Sequence, residues 1–222
     1  MARQRSLFDI VGPVMIGPSS SHTAGAVRLA ALARAVFGEL PHHARIGLHG
    51  SFATTGHGHG TDLALAAGLL GMAPDDPAIR TALTRAEEAG MQVEFEPVDL
   101  GDAHPNSALF ELESAGRRMR LQGSSLGGGD VLLECIDDFD VEMTGELPSL
   151  VVEHVDRPGE IAAVSAVLAD GGVNIAAMRV SREARGARAL MVIETDAAVP
   201  DEVVARIAEA PAVTAVHRID AV

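Results

Sequence analysis

The sequence predicts an α+β chain in two parts: an N-terminal α/β domain over residues 1–145 and a βαββαβ domain over residues 146–222. Three observations lead there. Helix-period and strand-like apolar runs alternate along the chain. The composition shifts near residue 145: the first part holds all six Phe, seven of nine His and the only Cys, and the second has no Phe, Trp or Tyr. Within residues 143–150, Gly145 and Pro148 interrupt two β-like runs and mark the seam.

In the first part, residues 21–37 carry small and apolar residues at helical spacing behind a Ser-rich segment. Residues 45–52 read as a strand, 61–70 as a helix behind a Gly/His loop, and 76–89 as a third helix. Residues 92–98, 107–113, 117–121 and 130–136 read as strands. In the second part, residues 149–154 form a short apolar strand. Pro158 sits in a turn where a helix can start, residues 161–168 have helical spacing, and Gly171 and Gly172 stop them. Strands follow over 173–181 and 187–195, then a helix over 200–208 and a last strand over 213–219. In that order two helices cover one sheet face, as in ferredoxin-like folds. A sheet of this kind, with one buried face and no aromatic residues, makes pairing with another copy an expectation.

Composition excludes several chemistries. All 17 basic side chains are Arg, against 31 acidic ones, for a net charge of −14. Without Lys the chain forms no internal Schiff base and has no P-loop lysine. With Cys135 alone it has no intrachain disulfide and builds neither a Cys-rich zinc site nor a four-Cys cluster. Acidity and the lack of Trp and Tyr argue against nucleic acid. Asp9, Gly12 and Pro13 break the N-terminal apolar run, so no secretory leader is expected. No run of about 18 apolar residues offers a membrane span. The expected setting is cytoplasmic, with no membrane partner.

Four motifs could carry chemistry. Gly17 to Thr23 places Ser19, Ser20, Ser21 and His22 before a helix, where hydroxyls and unpaired backbone N–H groups suit a carboxylate or phosphate. An ordinary N-cap explains the same residues, and no Asp orienter points to a serine hydrolase. Thr54 to Asp62 carries His57 and His59 two residues apart. In a strand both would face one side and suit a metal, but without carboxylate or Cys co-ligands the favoured reading is one His in proton transfer. A glycine-rich turn with solvated His is the plain alternative. The third motif is His104-Pro105-Asn106-Ser107. The fourth, residues 123–129, could wrap an anion or simply be a Gly-rich hairpin connection. Cys135, in an apolar run, reads as a small core residue.

Taken in order, GPVMIGPSSSHTAGA, GSFATTGHGHGTDLAL, HPNSALF and GSSLGGGD resemble the β subunit of bacterial iron–sulfur L-serine dehydratases over roughly the first 140 residues. The rest, DRPGEIAAVSAVLADGGVNIAAMRVSR, resembles an ACT domain, an amino-acid-sensing module. The resemblance implies an N-terminal domain similar to the allosteric substrate-binding domain of some phosphoglycerate dehydrogenases. It implies removal of water from L-serine to give 2-aminoacrylate, then pyruvate and ammonia. It implies a [4Fe-4S] cluster, with one open iron as Lewis acid, held by a partner α subunit rather than by this chain, which has no metal ligands of its own and is inactive alone. By motif, His59 becomes the candidate base and His104 its helper, as the matching histidines of single-chain relatives lie at the active site. Ser19, Ser20, Ser21, His22, Thr23, Thr61, Asp62 and Asn106 become substrate-binding. Asp156, Arg157, Gly159, Asn174 and Ile175 become the effector contacts of the ACT domain, whose amino-acid ligand is open. A hetero-oligomer paired through ACT domains is expected. Two other readings use the same residues: a purely regulatory amino-acid-binding subunit, and a free-standing sensor.

Overall fold

A computed structural model describes residues 14–222. The chain divides into two compact units, residues 1–134 and 135–222. The seam read from the sequence lies between the strands Phe139–Met143 and Ser149–Val155.

In the first unit a π-helical turn, Ser20–Ala24, runs into α1 (Gly25–Phe37). Next come β1 (His43–Leu48), α2 (Gly50–His59), α3 (Thr61–Leu69), a 3₁₀ turn (Pro77–Thr81) and α4 (Ala82–Glu88). Strands β2 (Gln92–Pro97), β3 (Ser107–Ser114), β4 (Arg117–Gly127) and β5 (Asp130–Ile136) complete it. Within this unit the sheet order is β2-β1-β3-β4-β5, with β1 parallel to β2 and antiparallel to β3. Period-two patterning sorts its faces. Ile46, Phe110 and Leu121 stand in register on the buried face, as do Ala44, Leu112 and Met119. The opposite face carries a row of alternating charge, Glu94–Arg45–Glu111–Arg120. Helices α1 and α3 pack closely because Gly68 has no side chain: a Cβ there would lie 2.1 Å from the Val27 carbonyl oxygen.

Two local expectations are corrected. Residues 50–59, read as the end of a strand and a Gly/His loop, are helix α2. Its internal Gly56 and Gly58 cost about 1 kcal/mol each relative to Ala. Tertiary contacts offset this: Phe52 is fully buried, and the Pro105 carbonyl caps the helix by accepting from Ser51 N–H at 2.7 Å. The strand geometry on which a shared His57/His59 face rested is therefore gone. The Gly123-Ser124-Ser125 segment, weighed as an anion cradle, extends β4. Gly127, Gly128 and Gly129 form the connection to β5, all with left-handed φ.

In the second unit, β6 (Phe139–Met143) precedes β7 (Ser149–Val155), α5 (Glu160–Asp170), β8 (Ile175–Arg182), β9 (Arg188–Thr195), α6 (Asp201–Ala208) and β10 (Val213–Ile219). The sheet order is β10-β7-β9-β8, every neighbouring pair antiparallel. This is the expected βαββαβ arrangement. Leu150, Val152, Met191 and Ile193 meet Val164 and Leu168 of α5 and Val203 and Ile207 of α6 in one core. On β6, Glu142 pairs with Arg179 of β8, and Phe139 lies under the Arg188 guanidinium. Among the described residues, no helix is long and apolar enough to cross a membrane.

Candidate active site

The Ser-rich turn, helix α2 and the His104 loop converge in the first unit. Ser19 caps the turn, its Oγ accepting from His22 N–H at 3.2 Å. Ser20 opens the π-turn, and its carbonyl accepts from Gly25 N–H. Both imidazole nitrogens of His22 are engaged. Nδ1 lies 3.1 Å from Ser21 Oγ, and Nε2 lies 3.0 Å from Ser51 Oγ and 3.1 Å from Thr55 Oγ1. Phe52 packs its ring edge-on to His22 with centroids 5.3 Å apart, and the His59 ring lies 4.9 Å away. Burial, then repulsion from a protonated His59, hold His22 below its ordinary 6.5 against an opposing hydrogen bond at Ser51. The ring is therefore neutral near pH 7.

His59 sits one helical turn beyond Thr55. Its Nδ1 lies 2.9 Å from the Thr55 carbonyl. A carbonyl only accepts, so Nδ1 carries the hydrogen and Nε2 keeps its lone pair in the neutral ring. His104 is the opposite tautomer: Asn106 N–H donates to its Nδ1 at 3.2 Å, so the neutral ring carries its hydrogen on Nε2. His59 thus offers a base and His104 a donor.

Thr23 and Thr61, the two threonines expected to bind substrate, clamp the backbone of the site. Both are buried, at 2% and 0% exposure. Thr23 Oγ1 donates to the His59 carbonyl and Thr61 Oγ1 to the His22 carbonyl, at 3.3 and 3.0 Å. The reciprocal bonds fix the two histidine backbones to each other. Asp62 Oδ1 accepts from Leu63 N–H in the first turn of α3. Asn106 ties its loop to β4: its carbonyl accepts from Ser125 N–H at 2.9 Å, and its Nδ2 donates to the Ser125 carbonyl at 3.4 Å. Ser51 joins the parts, with Oγ on His22 and N–H on the Pro105 carbonyl. Gly50 permits that approach, since its φ is +56° and a Cβ would lie 2.7 Å from Pro105 O.

Sequence reasoning missed Ser51 and Thr55. With His59 they fall at i, i+4 and i+8, one face of a helix. That spacing was the available signal, hidden by reading the segment as a loop.

The residues present do not fit an iron–sulfur cluster. The single Cys135 bonds through Sγ to the Asp137 carbonyl at 3.1 Å. Among the described residues no group of three or more His, Cys, Asp or Glu is placed to hold a metal ion.

In the second unit the expected effector contacts separate. Asp156 follows β7 and accepts from Gly186 N–H at 3.1 Å and from Arg182 at 2.9 Å. The Gly186 amide foremost, and the Arg182 guanidinium, hold its carboxyl below the usual value. Arg157 and Gly159 stand at that same end; Gly159 is the left-handed N-cap of α5. Asn174 and Ile175 lie at the other end, where Ile175 pairs with Thr195 and Asn174 Nδ2 donates to Asp196 at 2.7 Å. About six strand residues, on the order of 20 Å, separate the two ends. His154, which sequence reasoning passed over, is buried two residues before Asp156, and its Nε2 has no hydrogen-bond partner.

Fold and site together define a two-part chain: an α/β unit with a hydroxyl-lined histidine cluster, followed by a βαββαβ unit with the ferredoxin-like strand order. Residues 6–134 match the family described as serine dehydratase beta chain, and residues 149–212 match the ACT domain. The chain is 41% identical to a probable L-serine dehydratase beta chain of Bacillus subtilis, over 98% of this chain and 99% of that one. It is 37% identical to an L-serine dehydratase beta chain of Peptoniphilus asaccharolyticus, over 86% and 87%. A D-3-phosphoglycerate dehydrogenase of Methanocaldococcus jannaschii is 33% identical over half of this chain and 21% of its own length. The chain belongs to the serine dehydratase beta chain family and carries a C-terminal ACT domain.

Proposed function

We propose that this chain is the β subunit of a two-subunit, cytoplasmic L-serine dehydratase and supplies acid–base and binding groups to a site that a Cys-rich α subunit completes. The supporting observation is the pairing of His59, whose Nε2 keeps its lone pair, with a neutral His22 whose two nitrogens are spent on hydroxyls. On this reading His59 Nε2 takes the α-proton of L-serine and the β-hydroxyl departs as water. This leaves 2-aminoacrylate, which hydrolyses to pyruvate and ammonia. The His104 Nε2–H hydrogen-bonds a substrate oxygen. Ser19, Ser20 and Ser21 offer groups to the carboxylate. Ser51 and Thr55 hold the His22 ring. A [4Fe-4S] cluster belongs on this reading to the α subunit, because this chain's ligands do not fit one.

The ACT domain takes an amino-acid effector. Its two contact sets are at opposite ends of one sheet, so a two-fold pair of ACT domains is what would bring the Asp156 end of one copy beside the Asn174 end of the other.

The test is anaerobic reconstitution with the cognate α chain and a pyruvate assay on L-serine. Turnover requiring both chains, and lost in His59→Gln, supports the assignment. Full turnover by the α chain alone would make this a purely regulatory subunit.

A further inference from the structure

The connection that carries His104, residues 98–106, leaves the end of β2 and enters β3. Strand β1 lies between those two, parallel to β2 and antiparallel to β3. The end of β2, the end of β1 and the start of β3 therefore share one end of the sheet, and the connection crosses over the end of β1. His49 follows β1 directly, half-buried, and stands at that crossing. Its backbone N–H donates to the Ser107 carbonyl of β3 at 3.1 Å. Its side chain serves the β2 side: Leu100 N–H donates to the imidazole Nδ1 at 3.1 Å. The Val98 carbonyl oxygen lies 3.3 Å from the same nitrogen. A backbone N–H always carries its hydrogen, so Nδ1 meets Leu100 with its lone pair, and the neutral ring keeps its own hydrogen on Nε2. A hydrogen on Nδ1 would serve Val98 but leave the Leu100 N–H facing another donor. The next two residues hold the far end of the connection. Gly50 packs against Pro105, and Ser51 N–H donates to the Pro105 carbonyl at 2.7 Å.

We propose that His49 is a positioning residue for His104, its imidazole bracing the first half of the connection as Ser51 braces the second. It acts through the backbone: with Leu100 tied to Nδ1 and Pro105 tied to Ser51, the stretch between them is held at both ends. A stretch fixed at both ends samples fewer backbone states than one fixed at a single end. His104 lies within it, and Asn106 N–H then fixes its Nδ1 and so aims Nε2. The catalytic meaning of this rests on the reading of His104 as a donor to substrate; the brace itself does not.

Three readouts test it. In the isolated full chain, long-range nitrogen–proton spectra of the wild-type imidazoles should place the hydrogen of neutral His49 on Nε2; a hydrogen on Nδ1 would overturn the Leu100 bond. Amide hydrogen exchange then reads the loop. His49→Phe keeps a ring and removes both nitrogens, and should raise exchange about tenfold at Leu100 and about threefold at Asn106. His49→Asn places a carbonyl oxygen where Nδ1 stands and should keep both amides within about twofold of wild type. Unchanged Leu100 exchange in His49→Phe would overturn the brace. Faster exchange at Leu100 alone, with Asn106 unchanged, would overturn the positioning of His104. If His49→Phe fails to fold, His49→Ala makes the same comparison with His49→Asn. In the reconstituted complex, His49→Phe should lower kcat about tenfold with KM within about twofold, and His49→Asn should restore it. Equal losses in His49→Phe and His49→Asn would mean a packing role and sink the proposal. A wild-type complex that forms no pyruvate would remove the proposed function and leave the exchange result to judge the brace.

Discussion

Ser21 and Pro105 are far apart in sequence, yet His22 and Ser51 link them through three hydrogen bonds in the first unit. Asp156 and Asn174 are much closer in sequence, yet they stand at opposite ends of the second unit's sheet. The difference comes from chain direction. In the first unit, the Ser-rich turn and the starts of α2 and β3 all gather at one end of the sheet. In the second, β7 and β8 both pair antiparallel with β9 and so run parallel, which puts the end of one opposite the start of the other. A site assembled within one copy follows in the first case. In the second, the Asp156 and Asn174 ends stay apart within one copy.

Four experiments would break or sharpen that contrast. The largest effect is expected at the assembled site: His59→Gln should lower kcat of the reconstituted enzyme by roughly 10²–10⁴-fold, read by pyruvate formation, with little change in the thermal unfolding of the chain alone. A loss below tenfold would remove His59 from the chemistry. Next is the scaffold under that site. Gly68→Ala drives a methyl onto the Val27 carbonyl and should destabilise the first unit by about 1–3 kcal/mol, read by urea unfolding. A neutral result would mean that α1 and α3 are not locked together.

Third are the clamps. Thr61→Val should cost about 1 kcal/mol, because its shape stays and one bond to the His22 carbonyl is lost. A double-mutant cycle with Thr23→Val should show the two clamps coupled; strict additivity would mean they act separately. The smallest effect concerns pH. The folded pKa of His22 lies below 6.5, so the unfolded chain binds the proton first as pH falls. Stability contributed by the neutral ring is present above 6.5 and is lost as pH drops from there toward the folded value. His22→Gln should flatten the slope of unfolding free energy against pH in that window, and an unchanged slope would contradict the depressed pKa. No such sensitivity is expected from Asp156 in that range: its depressed pKa contributes above the usual carboxylate value and is lost only in stronger acid.

Much of this was legible in the residues. The βαββαβ order of the second unit follows from short apolar runs separated by Gly and Pro, where local period and turn chemistry agree. The first unit's helices α1 and α3 and most of its strands follow from the same signals. Residues 50–59 were not legible, because their glycines and β-branched threonines speak against a helix. The Pro105 carbonyl and the burial of Phe52 impose one from outside. That Thr23 and Thr61 donate to backbone carbonyls was not legible either, because a hydroxyl beside a histidine reads the same whether it faces a ligand or a carbonyl.

The sequence by itself determined which residue types this chain brings to a site, among them no Lys and a single Cys, and the family it belongs to. Those follow from composition and motif order, which need no coordinates. Only the tertiary structure decided which nitrogen of His59 and of His104 carries the hydrogen in the neutral ring, and that Ser51 and Thr55 join the cluster. Each depends on a hydrogen-bond partner from a distant segment or a different turn of backbone, and such a partner is set by chain direction and packing rather than by neighbours in the sequence.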